Sequence, residues 1–126
     1  MSAVSRVVIV MWQADPSAPD KAAAPLIYAS CARALDMEVE IHLTSSAVKW
    51  AFEGVAANAF SDSKGEFSIL SHIQRAHEMG VKIYLCGMAL AEHHRGEPMI
   101  AEIAGQTGAT AVMGQLQRED TRVLVF

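Results

Sequence analysis

Cys86 is the residue of this sequence whose type and surroundings best suit covalent chemistry. It ends a short run of strand-forming residues, and Gly87 and a new apolar segment follow at once in "IYLCGMAL". A thiol at the start of a helix lies near backbone N–H groups and the positive end of the helix dipole, which favour the nucleophilic thiolate. Free cysteines are also among the most buried residues in proteins, so position alone leaves a packing role open.

Few other side chains are candidates for a role beside Cys86. The second cysteine, Cys31, lies on the predicted apolar stripe of the first helix, and we expect it to pack in the core. His93 and His94 follow Cys86 closely, and in a short helix one of them can fold back to assist proton transfer. The plainer alternative for both histidines is a solvated surface. Ser45 is a further accessory candidate.

Several functional classes are excluded by what the sequence lacks. There is no metal-ligand spacing, no glycine-rich phosphate loop, no nucleophile elbow and no C-x-x-C, so we expect neither a metal nor an organic cofactor. The net charge is −4 and the pI is about 5.7, with no basic run, which argues against nucleic acid. No apolar run is long enough for a membrane, and no export signal opens the chain, which predicts a cytoplasmic protein with free thiols.

The hydrophobic pattern predicts the elements that position these residues. Continuous or alternating apolar runs predict strands at residues 6–12, 38–44 and 81–86, and His42 inside the second is expected to be structural. Helical periodicity or capping signals predict helices at residues 21–36, from Ser45 or Ser46 onward, at 67–79, at 88–95 and from Pro98 to about Ala104. A fourth strand is predicted at 109–114 and a fifth at 121–126.

This order predicts a single domain over residues 1–126, with a three-layer α/β/α sandwich around a mostly parallel five-stranded sheet. The connector between the fourth and fifth predicted strands is too short for a helical crossover. We therefore expect the last strand to run antiparallel to its neighbours.

Functional sites in such sheets form outside the carboxyl ends of the strands. We expect Trp12 and Met113 to wall a pocket around Cys86, with Gly87 giving access and Met88 limiting water. The residues that this rule selects at the predicted strand ends are Trp12, Gln13, Thr44 to Ser46, Cys86, Gly87, Gly114 and Gln115.

Three segments resemble the DsrE/DsrF-like family of sulfur-relay proteins, which includes the TusD-type subunits. They are the opening strand "VVIVMW", the alanine-rich stretch "AAAPLIYASCARALDMEVEIHLT" and, most specifically, "AHEMGVKIYLCGMAL". The last is similar to the family's helix–glycine–strand–cysteine segment, whose cysteine accepts sulfane sulfur as a persulfide.

The resemblance implies that Cys86 is the sulfur carrier of a cytoplasmic protein that forms homotrimers or homohexamers. It also implies exchange of sulfur with a TusA-like carrier or a rhodanese. Backbone N–H groups at Gly87 and Met88 are then expected to stabilise the anionic persulfide. Some members carry a second cysteine in the following segment, but "GMALAEHHRGEP" has none, which favours relay through a single cysteine.

Two other hypotheses remain open from the sequence. One is a non-catalytic oligomeric module that binds a small molecule or a partner, in which Cys86 is structural. The other is a peroxidase-like thiol enzyme, against which the missing resolving cysteine argues. Reactivity of the native thiols discriminates between the sulfur carrier and the binding module, and trapping of sulfenic acid after addition of peroxide tests the peroxidase-like enzyme.

Overall fold

The computed structural model describes residues 3–126, which form a five-stranded sheet with helical connections. The strands are β1 (Arg6–Met11), β2 (Glu38–Leu43), β3 (Lys82–Cys86), β4 (Ile103–Thr107) and β5 (Thr121–Val125). The α-helices are α1 (Pro19–Ala34), α2 (Ile69–Glu78), α3 (Gly87–His93) and α4 (Ala109–Gln115), and 3₁₀ segments span Ser45–Ala51 and Ala56–Asn58. Within the described residues, no helix has the length and apolar character needed to cross a membrane.

The strands lie in the order β4-β3-β2-β1-β5 and every neighbouring pair is parallel. The α/β class and the five-stranded sheet predicted from the sequence are confirmed. Strands buried on both faces explain the continuous apolar run of β1, in which Val7, Val8 and Ile9 are all buried.

The two faces of the sheet are covered unequally. Successive right-handed crossovers from β1 to β4 put α1, α2 and α3 on one face, where Ile9, Ile41 and Ile83 are buried. The crossover from β4 back to β5 runs in the opposite direction, so α4 covers the other face alone. Because α4 has only seven residues and buries none of them, this second face keeps a row of polar side chains.

The end of the chain differs from the prediction. The segment "IAGQT", expected to fall at the end of a helix and in a loop, forms the edge strand β4. Residues 109–114, expected to form the fourth strand, lie within α4. Since α4 supplies a helical crossover, β5 runs parallel to β1 and not antiparallel as predicted. The preference of the β-branched residues in "ATAVM" for strands was outweighed by the pairing of β4 with β3.

The helix predicted from Pro98 to about Ala104 is absent. Residues in this segment pair instead with the end of the first 3₁₀ segment. The N–H of Glu53 donates to the carbonyl of Pro98, the N–H of Ile100 donates to that of Ala51, and Phe52 forms an antiparallel bridge with Met99. This pairing satisfies the backbone groups in a way that competes with a helix.

The first helix also buries a different face from the predicted one. Cys31, expected in the core, is exposed, and so are Ile27 and Leu35. The buried side of α1 consists of Leu26 and small residues, namely Ala22, Ala23, Pro25 and Ala29. Small side chains let a helix approach the sheet closely, which accounts for the choice of this face over the one with larger apolar residues.

Candidate functional site

Residues at the carboxyl edge of the sheet are held in a row by the strand register. Met11 pairs with Leu43, and Leu43 pairs with Leu85, so the residues that follow them occupy the same edge. Thr44 continues this register, because its N–H donates to the carbonyl of Met11 over 3.0 Å. Cys86 therefore ends β3 at the edge where the sequence analysis expects the site.

The Cys86 thiol is half-buried and receives three hydrogen bonds. Burial by itself raises the pKa of the Cys86 thiol. The N–H of Ala89, the hydroxyl of Thr44 and the N–H of Met88 donate to the sulfur and favour the thiolate, and their combined effect brings the pKa below its usual value. The three groups that favour the anionic form of the sulfur are therefore neutral hydrogen-bond donors.

Two large apolar side chains are exposed at this carboxyl edge of the sheet. Met88, directly after Gly87, is 85% exposed, and Trp12 at the end of β1 is 47% exposed. A Cβ placed on Gly87 would lie 3.4 Å from Gln106 Oε1 and 3.9 Å from the carbonyl oxygen of Thr107. Gly87 therefore lies against the end of β4, and a methyl group at this position would be in van der Waals contact with Gln106 and Thr107.

The accessory residues expected near the thiol are arranged differently from the prediction. The hydroxyl group that acts on the Cys86 thiol belongs to Thr44 and not to Ser45, the expected accessory residue. The side chain of Ser45 is exposed, and its φ is 52°. His93 ends α3, about 9 Å along the helix axis from its start at 1.5 Å per residue, which carries it away from Cys86. His94 Nε2 lies 2.7 Å from the carbonyl oxygen of Glu97, and its ring packs on Phe52.

Met113, expected at a strand end beside Cys86, lies in α4. That helix ends at the opposite edge of the sheet, because Arg6 Nε at the start of β1 donates to Gln115 Oε1 over 3.2 Å. Met113, Gly114 and Gln115 therefore lie toward the amino ends of the strands. The error follows from the displaced fourth strand.

The residue that occupies the end of β4 is Thr107, which the sequence analysis missed. Cys86 pairs with Thr107 across the β3–β4 ladder. Thr107 Oγ1 in turn lies 2.9 Å from His42 Nδ1. The polar residues Gln106 and Thr107 at the end of "IAGQT" could have indicated that this segment contributes to the site. That inference was possible only if "IAGQT" had first been recognised as a strand.

Within residues 3–126, no cluster of three His, Cys, Asp or Glu side chains is arranged to hold a metal ion.

A sequence profile of the DsrE/DsrF-like family matches residues 6–126. The chain belongs to the DsrE/DsrF-like family. Membership favours a role in sulfur relay at the level of the family, and it confirms the resemblance drawn from the strand–cysteine segment. Comparison with curated proteins gives no match.

Two solved structures are similar to this DsrE/DsrF-like chain. The ychN protein from E. coli has a TM-score of 0.73 at 17% identity, over 98% of this chain and 99% of that one. MTH1491 from Methanobacterium thermoautotrophicum has a TM-score of 0.62 at 16% identity, over 96% and 98% of the two chains. At these identities the likeness establishes the fold alone.

Proposed function

We propose that this protein carries sulfane sulfur as a persulfide on Cys86 and exchanges it with a partner protein. The observation that carries the proposal is the Cys86 thiol at the carboxyl edge, with a lowered pKa and hydrogen bonds from Ala89, Thr44 and Met88. Membership of the DsrE/DsrF-like family supports the same role.

The chemistry needs only the thiolate and a donor. The Cys86 thiolate attacks the outer sulfur of a donor persulfide, R–S–SH, forming Cys86–S–SH and releasing R–S⁻. Loss of the persulfide proton leaves an anion on the outer sulfur. The N–H groups of Met88 and Ala89 act on the adjoining Cys86 sulfur, and in this proposal they also stabilise the charge on the outer sulfur. From the sequence we expected Gly87 and Met88 to have this role, and the proposed pair of donors is shifted by one residue, to Met88 and Ala89.

Relay through one cysteine is the form of transfer that the positions of the thiols support. Cys31 lies near the end of α1, the helix that returns the chain to the amino end of β2, whereas Cys86 lies at the carboxyl end of β3. The two thiols are thus at opposite ends of the parallel sheet. Cys31 lines an open groove with Ser30, His72 and Arg75, away from the proposed site.

The partner in this proposal is a TusA-like carrier or a rhodanese-like protein, in the cytoplasm. The exposed side chains of Met88 and Trp12 offer an apolar surface around the thiol for such a protein. We also propose assembly into a homotrimer or homohexamer. Exposed apolar side chains on the edge strand β5, including Val125 at 64%, support subunit contacts, and light scattering after gel filtration measures the number of subunits.

Mass spectrometry of the intact protein and its peptides after incubation with polysulfide tests the proposal. We expect wild type and Cys31→Ser to gain the mass of one sulfur atom on the peptide that contains Cys86. Cys86→Ser should not gain it. Equal loading of Cys86→Ser and wild type, with the sulfur on Cys31, would contradict the proposed carrier.

A second candidate function is a non-catalytic binding module, favoured by the same exposed apolar side chains. It requires an inert Cys86, replaceable by alanine without loss of assembly or partner binding. Titration of the native thiols separates the two functions, because a carrier thiol reacts quickly at neutral pH and a structural one reacts slowly. Addition of peroxide together with a reagent that traps sulfenic acid tests the peroxidase-like alternative, because a peroxidase thiol forms a sulfenic acid.

A further inference from the structure

A chain of three hydrogen-bonded side chains lies on the second face of the sheet and crosses β3 near its carboxyl end. His42 Nε2 on β2 lies 2.7 Å from Glu40 Oε2, and His42 Nδ1 lies 2.9 Å from Thr107 Oγ1 on β4. Strands β2 and β4 are not neighbours, because β3 runs between them. The link between His42 and Thr107 must therefore pass over β3.

The residues of β3 below this link are Tyr84 and Cys86. Successive side chains of a strand alternate between faces, so Tyr84 and Cys86 point to the same side. The ring of His42 stacks on Tyr84, with centroids 5.3 Å apart, and Tyr84 pairs with Gly105 on β4. Because Gly105 has no side chain, the imidazole can extend across β3 to Thr107, which pairs with Cys86.

The hydrogen-bond partners fix the protons in this chain. The Glu40 carboxylate is paired with Arg6 and only accepts hydrogen bonds, so His42 Nε2 carries a proton and donates it to Glu40. Burial, and then the positive charge of Arg6, lower the pKa of His42, so the ring is neutral at pH 7. Nδ1 is then an acceptor, and the Thr107 hydroxyl donates to it.

The charges that face His42 come from its own and neighbouring strands. Its side chain is nearly inaccessible, at 4% exposed, and Glu40 is the acidic group in direct contact with it. Helix α4, which covers this face, has no titratable side chain in its sequence "ATAVMGQ". The titratable groups on this face are Glu38 and Glu40 of β2, Arg6 of β1, and Lys82, Tyr84 and Cys86 of β3.

A purely structural role explains this arrangement poorly. Buried charged and polar groups are costly, and apolar side chains of similar size fill a sheet face at least as well. A carboxylate, an imidazole and a hydroxyl bonded in sequence form instead a path along which a proton can move. The path ends at Thr107, the residue of β4 that pairs with Cys86, while Thr44 acts on the sulfur from the β2 side.

We propose that Glu40, His42 and Thr107 relay protons to and from Cys86, an inference that rests on the proposed sulfur-carrier function. During loading, the Cys86 thiol passes its proton to Thr107 Oγ1 while the hydroxyl proton of Thr107 passes to His42 Nδ1. The products are the Cys86 thiolate and a His42 imidazolium held by Glu40. The thiolate then takes sulfur from R–S–SH and releases R–S⁻, with no net oxidation.

Discharge uses the same path in reverse. An acceptor thiolate attacks the outer sulfur of the neutral persulfide Cys86–S–SH, and Cys86 leaves as a thiolate. The proton held on His42 returns through Thr107 to the Cys86 sulfur and regenerates the thiol. The relay thereby keeps the proton that loading removes within the protein.

Thr107→Val and Thr107→Ser in a Cys31→Ser background test the relay, since valine keeps the shape of threonine and serine keeps the hydroxyl. The measurement is the rate of sulfur uptake from glutathione persulfide, in H₂O and D₂O, as a function of pH. We expect Thr107→Val to slow uptake about tenfold. This loss is smaller than the rate enhancement that acid–base catalysis usually provides, because a thiol also loses its proton to water without a catalyst. The solvent isotope effect should disappear and the acid limb of the pH profile should move upward. Thr107→Ser should restore most of the rate.

Further variants keep the result interpretable. Thr110→Val makes the same chemical change at an exposed position of α4 and should behave as wild type. His42→Asn retains an amide to bond Thr107 but cannot take up a proton, so it should reproduce the kinetic loss even if Thr107→Val folds poorly. If wild type loads sulfur and both folded variants match its rate, pH profile and isotope effect, the relay is wrong while the carrier function stands. If wild type loads no sulfur on Cys86, both fail.

Discussion

The hydroxyl of Thr44, directly after β2, donates a hydrogen bond to the thiol of Cys86 at the end of β3. This bond joins two neighbouring strand ends and places a neutral donor on the sulfur. Together with the N–H groups of Ala89 and Met88, it outweighs the effect of burial and lowers the pKa of Cys86.

Removing this donor should raise the pKa of the Cys86 thiol. We expect Thr44→Val in a Cys31→Ser background to move the midpoint of the alkylation rate with iodoacetamide to higher pH, whereas Thr44→Ser should leave it nearly in place. Thr110→Val serves as the matched control. An unchanged midpoint in Thr44→Val would mean that the backbone donors alone set the thiolate population.

A methyl group at Gly87 should separate small donors from protein partners. The added Cβ lies 3.4 Å from the flexible end of Gln106, which can shift, so Gly87→Ala should fold with a loss below about 1 kcal/mol. Loading from polysulfide should change less than twofold, while transfer with a protein partner should slow several-fold, because the methyl and the displaced Gln106 crowd the thiol.

The two kinds of donor are compared by mass spectrometry in parallel time courses. Gly65→Ala serves as a control for the effect of a glycine-to-alanine change away from the site, because a Cβ at position 65 meets open space. The φ of 69° at this position is strained for alanine. Equal slowing of both donors in Gly87→Ala would indicate distortion of the thiol itself.

The stability of the protein should fall as the solution is acidified from neutrality. Burial and Arg6 depress the pKa of His42 below its ordinary value of 6.5, so the unfolded chain binds this proton at higher pH than the native protein. Stability from His42 is therefore complete above about pH 6.5 and is lost as pH falls toward the native pKa. The pKa of His72 is also lowered, by burial and then by Arg75, so His72 contributes to the pH dependence of stability in the same direction.

Urea unfolding at a series of pH values measures this effect. We expect His42→Gln to flatten the slope of the unfolding free energy between neutral and mildly acidic pH, at a cost of about 1–3 kcal/mol at neutrality from lost buried hydrogen bonds. His72→Gln should flatten it less, because that side chain is only partly buried. A slope unchanged in His42→Gln would contradict a neutral buried imidazole.

The parts of the fold that were predictable have strong local signals. Strand β1 is buried on both faces and carries a continuous apolar run, whereas β2 and β3 alternate apolar buried residues with more accessible ones. Helix α2 has a Ser68 cap and an apolar side that includes Ile69 and Ile73. Gly80 follows α2 with a φ of 98°, as expected for a glycine at a helix end. Cys86 was found from the same signals, because it directly follows a well-defined strand.

The parts that were mispredicted depend on pairing that a local sequence does not encode. Strand β4 lies at the edge of the sheet with largely accessible side chains, so "IAGQT" has no apolar period, and α4 buries nothing that would reveal its helical face. The error removed Thr107 from the candidate site and put Met113 in its place. Cys31 was misassigned because α1 packs through alanines, which a hydrophobicity pattern ranks below Ile27 and Leu35.

A single-turnover transfer shows whether Cys86 alone passes sulfur onward. Cys31→Ser protein is loaded with sulfane sulfur, freed of donor and mixed with a TusA-like acceptor, and the sulfur on both proteins is followed by mass spectrometry. We expect sulfur to leave the Cys86 peptide and to appear on the acceptor cysteine in equal amount, while Cys86→Ser delivers none. Sulfur that stays on Cys86, or equal delivery by Cys86→Ser, would contradict this expectation.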